Sequence, residues 1–275
     1  MHDIPPPVAL SPAREEWLMR ERRRKRAVTL TRLAILVGFF ALWELAARLG
    51  AVDAFVVSSP SRMARTLVSL ARSGELWRHL GVSVGETIVG FTLGTLLGAL
   101  VAILLWWSPF LSKVLDPYLV VLNALPKTAL GPVFIVWMGA GSGSIIAMTL
   151  AISLVVTILD VLSGLLSTDP GKLRLMQTLG ATRLQLLTGL VLPANLPTLV
   201  SALKVNVGLS WVGVIMGEFL VSRAGLGYLI VYGSQVFKMD LVMSTVLLLS
   251  LAAAVMYAGL LRLEKLLKER MGVVP

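Results

Sequence analysis

Cysteine is absent from this 275-residue sequence, and histidine occurs only at His2 and His79. The absence of cysteine excludes disulfide bonds, thiolate metal ligands and cysteine nucleophiles. Because no cluster of His, Asp and Glu has ligand spacing, the sequence predicts no metal site and no catalytic residues. The phosphate-binding motif G-x-x-x-x-G-K-[ST] is missing as well, so we expect no ATP binding by that route. These absences disfavour an enzyme, including an intramembrane one.

Charged residues are scarce, and apolar residues are in excess. The chain is 15% charged and 56% hydrophobic, with a mean hydropathy of +0.84, whereas soluble domains average about 25% charged and about 45–50% apolar. This composition predicts a polytopic membrane protein. The formal net charge is +10, but Lys and Arg cluster at the ends of apolar runs. That placement is typical of membrane topology signals, so we expect no nucleic-acid partner.

Six apolar stretches are long enough to cross a bilayer as helices, which takes about 20 residues. They lie at 29–48, 82–107, 117–138, 144–166, 195–220 and 241–261. The even number places both termini on one side of the membrane. Most of the 25 Lys and Arg residues fall on that side, which predicts that both termini are cytoplasmic.

The ends of the chain and its first loop have compositions of their own. Residues 1–28 are predicted to form a cytoplasmic basic tail with little folded structure. We favour an uncleaved first transmembrane helix at 29–50 over a signal peptide, because the hydrophobicity continues without a small-x-small cleavage site. Residues 51–78 form an outer loop in which 58–80 has apolar residues at helical spacing, as in a helix lying on the membrane surface. Residues 264–275 are predicted to be a second cytoplasmic tail.

The longest loop on the predicted cytoplasmic side, residues 167–194, contains two short amphipathic segments between two apolar spans; we call it the inner loop. Thr168 or Asp169 is a candidate N-cap, and Pro170 then occupies the first helical position. Gly180 is suited to the left-handed residue that ends a helix. Thr182 and Gln185 have the spacing of a capping box, which begins a second helix. The loop is therefore predicted to be a helical hairpin with a sharp bend, either resting on lipid headgroups or contacting a partner protein.

Charged residues inside the spans are costly and mark candidate functional positions. They are Glu86, Lys127, Asp160, Lys204 and Glu218. Lys127 lies between Pro126 and Pro132, which are expected to break the helix. It either attracts an anionic solute or caps the carbonyls that the break frees. Lys204 is expected to snorkel inward, and Glu86 and Asp160 to form interior hydrogen bonds or ion pairs.

Two further patterns concern helix faces. Trp211 and Glu218 are seven residues apart and share one face, and we expect Glu218 to pair with a cation such as Arg223. The candidates for lining a translocation path are Lys127, Asn123, Trp211 and Glu218. Glycines recur on the second span and are expected to allow close helix packing; they are Gly85, Gly90, Gly94 and Gly98.

Several sequence motifs resemble those of the permease subunits of ABC importers. The inner loop is similar to the family's signature of E-A-A, three residues, Gly, nine residues and I-x-L-P. Gly180 supplies the glycine and "GLVLP" (189–193) the end, whereas Arg174 replaces the glutamate. Four other stretches resemble the nitrate/sulfonate/taurine branch: "LWELAARLG" (42–50), "SSPSRM" (58–63), "LNALPKTALGPVFIVWMGAGS" (122–142) and "SWVGVIMGEFLVSRAGLGYLI" (210–230). The resemblance extends from about residue 40 to about residue 263.

The resemblance implies an all-α membrane protein with about six transmembrane helices, the type I ABC importer fold, with its permease core domain at 79–263. It implies a multi-pass protein of the bacterial inner membrane that imports a small solute, expected to be anionic, by ATP-driven alternating access. The expected solute is a sulfonate, taurine or nitrate; a thiamine precursor is the alternative nutrient. A second alternative is an ATP-independent secondary transporter, which typically has an inverted repeat that we do not find here.

The implied partners are a second copy of the chain, two cytosolic ATP-binding subunits, an extracytoplasmic substrate-binding protein and membrane lipid. The chain itself is expected to hold no cofactor, because ATP is bound and hydrolysed by the partner subunit. In this family the inner-loop helices (coupling helices) dock on the ATPase. The residues that match them are Leu173, Met176, Leu179, Gly180, Ala181 and Leu184.

Overall fold

A computed structural model describes residues 12–270, and these residues form helices without any strand. The chain forms two units, one up to Ala64 and one from Arg65 onwards. The boundary falls within helix α3, Pro60–Ser73. The predicted all-α fold class is confirmed for the described part of the chain.

The first unit contains α1 (Pro12–Arg48), α2 (Ala54–Val57) and the beginning of α3. The prediction of little folded structure in the tail is wrong from residue 12 onwards, and residues 1–11 lie outside the described residues. The tail is rich in Arg, Glu, Leu and Met, which are good helix formers. Near the end of α1, Glu44 accepts a hydrogen bond from Arg48 Nε (2.8 Å) and another from the Ser61 backbone N–H (3.0 Å). Glu44 therefore ties α1 to the beginning of α3.

The second unit contains the other long helices. The remainder of α3 is followed by α4 (Glu75–Trp107), α5 (Pro109–Ala124), a 3₁₀ turn (Lys127–Leu130), α6 (Gly131–Met138) and α7 (Ser142–Leu166). The inner loop contains the short helices α8 (Pro170–Thr178), α9 (Arg183–Leu186) and α10 (Leu192–Ala194). After the loop come α11 (Leu196–Val221), α12 (Leu226–Gln235) and α13 (Met239–Arg270). Residues 264–270 of the predicted second tail thus continue α13, and 271–275 lie outside the described residues. The helix predicted within 58–80 is present as α3, and its place on the outer surface stays a prediction.

Within residues 12–270, five helices are long and apolar enough to cross a membrane, and a bent pair supplies a sixth candidate. The bent pair is α5 with the segment Lys127–Met138, and the two parts meet at 86°. The sequence predicts a single span at 117–138 that is broken by prolines. The break is confirmed, but the segment begins earlier, at Pro109.

Helix α7 lies between two faces of glycine residues. On α4, a Cβ built on Gly90 would lie 2.6 Å from Thr149 Cγ2, and Gly94 and Gly98 approach the next two hydroxyl-bearing turns of α7 equally closely. On α11, a Cβ on Gly213 would lie 2.5 Å from the Thr149 Cα atom. The predicted close packing is therefore confirmed for three of the four glycines. It is wrong for Gly85, because no described residue of the chain comes within 4 Å of its Cβ position.

Candidate functional site

The inner loop is a sequence of short helices with well-formed ends. Helix α8 (Pro170–Thr178) is capped by Asp169, whose Oδ1 accepts the Gly171 N–H at 2.7 Å. At its other end Gly180 has φ +80°, and the Ala181 N–H donates to the Met176 carbonyl at 3.0 Å. With the bond from the Gly180 N–H to the Gln177 carbonyl, this is a Schellman motif. The glycine is required there because its backbone is left-handed.

The second part of the loop begins at the predicted capping box. The Thr182 N–H donates to Gln185 Oε1 at 2.8 Å, and the Gln185 N–H donates to Thr182 Oγ1 at 3.3 Å. Helix α9 (Arg183–Leu186) continues through a π-helical turn (Leu187–Val191) into α10 (Leu192–Ala194), and Asn195 then separates α10 from α11. The N-cap, bend and capping box predicted from the sequence are thus all present.

Two contacts that the sequence did not reveal fix the loop to the membrane helices. Asn195 is buried, and its Nδ2 donates to Thr168 Oγ1 (2.6 Å) and to the Val191 carbonyl (2.9 Å). Its Oδ1 accepts a hydrogen bond from Ser167 Oγ at 3.2 Å. Arg183 Nη1 donates to the carbonyl of Trp107, the last residue of α4, at 2.5 Å. Asn195 therefore joins the two ends of the loop, and Arg183 caps a membrane helix.

The residues predicted to contact an ATPase differ in their exposure. Leu179 and Leu184 are 74% and 59% exposed. Four of the six predicted contact residues line a shallow groove of about 440 Å³ on the loop surface: Met176, Leu179, Gly180 and Ala181. The other residues that line it are Gln185, Thr188 and Gly189. Leu173 does not belong with these four contact residues, because it packs against the hydrophobic core of the chain. Leu175 of α8, 60% exposed, is a further exposed apolar residue of the loop.

A second cavity lies between α11 and α13. This groove has a volume of about 810 Å³, and most of its lining side chains are apolar. Trp211 lines it, is 5% exposed and has no hydrogen-bond partner for its indole Nε1 among the described residues. Lys204 also lines it, and Lys204 Nζ lies 2.8 Å from Glu264 Oε2 of α13. The side chain of Lys204 thus reaches an ion-pair partner, which the expectation of snorkelling did not include.

The side chain of Glu218, a residue of α11, is buried against the beginning of α12. Its Oε2 accepts the Gly227 N–H, and its Oε1 accepts the Ser83 hydroxyl, both at 2.5 Å. Ser83 Oγ in turn accepts the Leu226 N–H at 2.7 Å, and His79 Nδ1 accepts the Gly225 N–H at 2.9 Å. Side chains from α4 and α11 therefore cap three successive N–H groups at the beginning of α12, those of the N-cap Gly225 and of Leu226 and Gly227.

The predicted pairing of Glu218 with Arg223 is wrong. Arg223 is exposed, whereas Glu218 is 1% exposed and interacts with backbone and hydroxyl groups. Glu86 is also buried and lies within interaction range of Glu218 and Ser142, and its Oε2 has no hydrogen-bond partner within the described part of the chain.

Lys127 and Asn123 lie together at the break between α5 and α6. Lys127 Nζ donates to the Asn123 carbonyl (3.0 Å) and to Asn123 Oδ1 (3.4 Å). This is the geometry of a cation that caps a carbonyl freed by the break, one of the two interpretations offered by the sequence. The four candidates for the translocation path thus occupy three environments: the break, the α11–α13 groove for Trp211, and the α12 cap for Glu218.

Comparison with known proteins identifies relatives that cover most of the chain. A family model described as "Binding-protein-dependent transport system inner membrane component" matches residues 94–273. A "Probable ABC transporter permease protein" of Haemophilus influenzae is 32% identical over 223 residues, which are 81% of this chain and 90% of that protein. A permease named for the transport of aliphatic sulfonates in Bacillus subtilis is 28% identical over 256 residues, which are 93% of each chain.

Other relatives bear on the nutrient and the fold. A formylaminopyrimidine transport permease protein of Halalkalibacterium halodurans is 29% identical over 226 residues, covering 82% of this chain and 90% of that protein. Among solved structures, an inward-facing conformation of the MetNI methionine ABC transporter matches with a TM-score of 0.60 at 20% identity, covering 66% of this chain and 91% of that chain. This structural match shows a common fold.

Proposed function

Because the chain belongs to the family of binding-protein-dependent transport system inner membrane components, and is thus an ABC importer permease subunit and not an enzyme, we propose that it imports a small organic sulfonate, such as an alkanesulfonate anion or the zwitterion taurine. The similarity to an aliphatic sulfonates permease over 93% of the chain supports this substrate class. Nitrate, expected from the same branch, stays an expectation.

The inner loop is the proposed contact with the ATPase. The observation that carries this proposal is a surface of exposed apolar side chains held on short, capped helices. Leu179 and Leu184 are exposed, and Gly180 lines the shallow groove together with Leu179. Buried apolar anchors dominate the free energy of many protein interfaces. Because Asn195 and Arg183 fix the loop to the membrane helices, movement of a bound ATPase is transmitted to α4 and α11.

The assembly proposed is two copies of this permease, two cytosolic ATP-binding subunits and an extracytoplasmic binding protein in the bacterial inner membrane. Both termini are proposed to be cytoplasmic, and the distribution of Lys and Arg supports this orientation. The inner loop lies on the same side as the termini in that arrangement, where it can reach a cytosolic ATPase.

Cysteine crosslinking tests the proposed docking surface directly, because the chain has no cysteine of its own. We expect Leu179→Cys to crosslink to the ATPase in native membranes at a yield that changes with ATP. Val136→Cys is the matched control, because Val136 is an apolar residue of similar exposure (82%, against 74% for Leu179) on α6, outside the loop. Equal crosslinking at both positions, or at neither, contradicts the docking surface.

Two alternatives keep a specific basis. A relative that transports formylaminopyrimidine supports import of a different nutrient, and a secondary transporter would need no ATPase. Uptake of labelled taurine, hexanesulfonate and formylaminopyrimidine into cells, with and without the ATPase subunit, separates them. We expect the cells to take up a sulfonate, and we expect this uptake to be lost in cells that lack the ATPase subunit. Uptake of formylaminopyrimidine alone rejects the sulfonate, and uptake without the ATPase rejects the importer.

A further inference from the structure

The groove between α11 and α13 combines an apolar lining with a few polar groups. Its volume of about 810 Å³ is large enough for a small organic molecule, and residues such as Val207, Ile215 and Phe219 line it. The polar groups that matter here are the ammonium of Lys204 and the indole N–H of Trp211. Both are hydrogen-bond donors, and neither can accept a hydrogen bond.

Lys204 is held in an ion pair that a ligand can exchange. Its Nζ lies 2.8 Å from Glu264 Oε2, and the two side chains are 28% and 13% exposed, so the pair is shielded but still accessible. An ammonium has three N–H donors, and one carboxylate does not use all of them. An anion in the groove can therefore bind Lys204 beside Glu264 or in its place.

Trp211 is a second and independent indication of a ligand. Its side chain is buried and lines the groove, but Nε1 has no partner among the described residues. A buried donor without an acceptor is costly, and native structures contain few of them. Trp211 follows Lys204 by seven residues, so it lies on the same face of α11, roughly 10 Å further along the helix.

We propose that this groove is a binding site for an amphiphilic organic anion, in which the anionic group binds Lys204 in competition with Glu264. The apolar lining contacts the aliphatic part of the ligand. Trp211 Nε1 is itself buried, and it donates to an anionic oxygen once the indole ring turns toward the ligand. The proposal rests on the proposed function, from which it takes the anionic substrate. It replaces Lys127 by Lys204 as the cation of the path, because Lys127 already caps a carbonyl.

The test is binding and uptake of labelled hexanesulfonate by the permease–ATPase complex in vesicles of phosphatidylcholine. Because a hydrogen bond to a charged group contributes about 1.5–3 kcal/mol, we expect Lys204→Gln to weaken binding by about tenfold or more. Glu264→Gln removes the competitor, so its binding should be unchanged or tighter. Trp211→Phe keeps the ring and removes the donor, and should weaken binding about threefold to tenfold.

The exchange variant, Lys204→Glu with Glu264→Lys, separates ligand binding from a structural ion pair. It keeps the pair but moves the cation to α13, so we expect no recovery of hexanesulfonate binding. Recovery, or a Glu264→Gln variant that loses binding as Lys204→Gln does, overturns the proposal and assigns the pair a structural role. The thermal unfolding midpoint of each variant shows whether it is folded, and Glu264→Gln keeps the test decisive if the exchange variant is not.

Two further outcomes are distinguishable. If the wild-type complex neither binds nor imports any sulfonate, the anionic substrate of the proposed function fails, and this site fails with it. If the wild-type complex imports hexanesulfonate and Lys204→Gln does so equally well, only the site fails. Repeating the binding measurement with anionic phosphatidylglycerol in the vesicles tests for a lipid headgroup as the ligand. Loss of Lys204-dependent hexanesulfonate binding there would assign the groove to lipid.

Discussion

The sharpest test of the proposed docking surface is a substitution at Gly180. Its φ of +80° is unfavourable for other residues, but none of residues 12–270 apart from its chain neighbours has an atom within 4 Å of a Cβ at this position. Gly180→Asn therefore meets no clash within the chain, and the left-handed backbone costs about 1 kcal/mol, which lowers the unfolding midpoint by roughly 2–4 °C. If the ATPase packs closely on Gly180, the added side chain costs roughly 1–3 kcal/mol more at the interface.

Gly74 provides the matched control, because its φ is +82° and nothing lies within 4 Å of its Cβ position either. We expect Gly74→Asn to have the same effect on stability and none on affinity for the ATPase. Gly180→Asn should weaken that affinity about fivefold to 150-fold, measured as the Kd between the permease in nanodiscs and its ATPase. Gly180→Asp adds a charge at the same place, and it should abolish transport while the protein still inserts. Equal effects at Gly180 and Gly74 would refute the reasoning.

Three further predictions concern the helices that support the loop and the groove. Gly213→Ala places a methyl group against the α7 backbone and should lower the unfolding free energy by about 1–3 kcal/mol. Gly208 is the control on the same helix, because no described residue lies within 4 Å of its Cβ position, and Gly208→Ala should not lower the unfolding free energy. Thermal unfolding measures both variants. Asn195→Ala removes the link between the two ends of the loop, so we expect ATP hydrolysis to continue in the complex while uptake per ATP falls; an unchanged ratio would contradict this. Glu218→Ala leaves the Gly227 N–H and the Ser83 hydroxyl without an acceptor. We expect it to lower the unfolding free energy by about 1–3 kcal/mol and to increase amide hydrogen exchange at the beginning of α12. Exchange that stays as slow as in the wild type would argue against the cap.

The local structure of the inner loop could be predicted because each feature involves residues that are close in sequence. Asp169 caps an amide two residues later, and Thr182 and Gln185 cap each other. Propensities and capping patterns act over that range. The break at Pro126 and Pro132 was predictable for the same reason, since proline acts on its own helix.

The partners of the buried charges could not be predicted in this way. Ser83 and Glu218 are 135 residues apart in sequence, and only the packing of α4 against α11 and α12 brings them together. The sequence offered Arg223 as the nearest cation to Glu218, although a buried carboxylate is equally well satisfied by hydroxyl and backbone donors. Lys204 and Glu264 are another pair that only the fold brings together.

The predicted glycine face on α4 was wrong in its helical register, because it included Gly85. Gly90, Gly94 and Gly98 follow a spacing of four, and the same spacing leads back to Glu86 and not to Gly85. A spacing of four therefore excludes Gly85 and places the carboxylate of Glu86 on the face that packs against α7. The prediction of little folded structure in the tail fails because its Arg, Glu, Leu and Met residues are good helix formers, so α1 begins at Pro12.

The glycine faces on both sides of α7 limit how this permease can change shape. Thr149 fits between Gly90 of one neighbour and Gly213 of the other, so sliding either helix along α7 by part of a turn would drive a side chain into backbone. Interlocked surfaces of this kind resist shear but allow the three helices to rotate together as one block. We therefore expect the hinges between inward-open and outward-open states to lie at the edges of this block, where α12 and the bend after α5 join it.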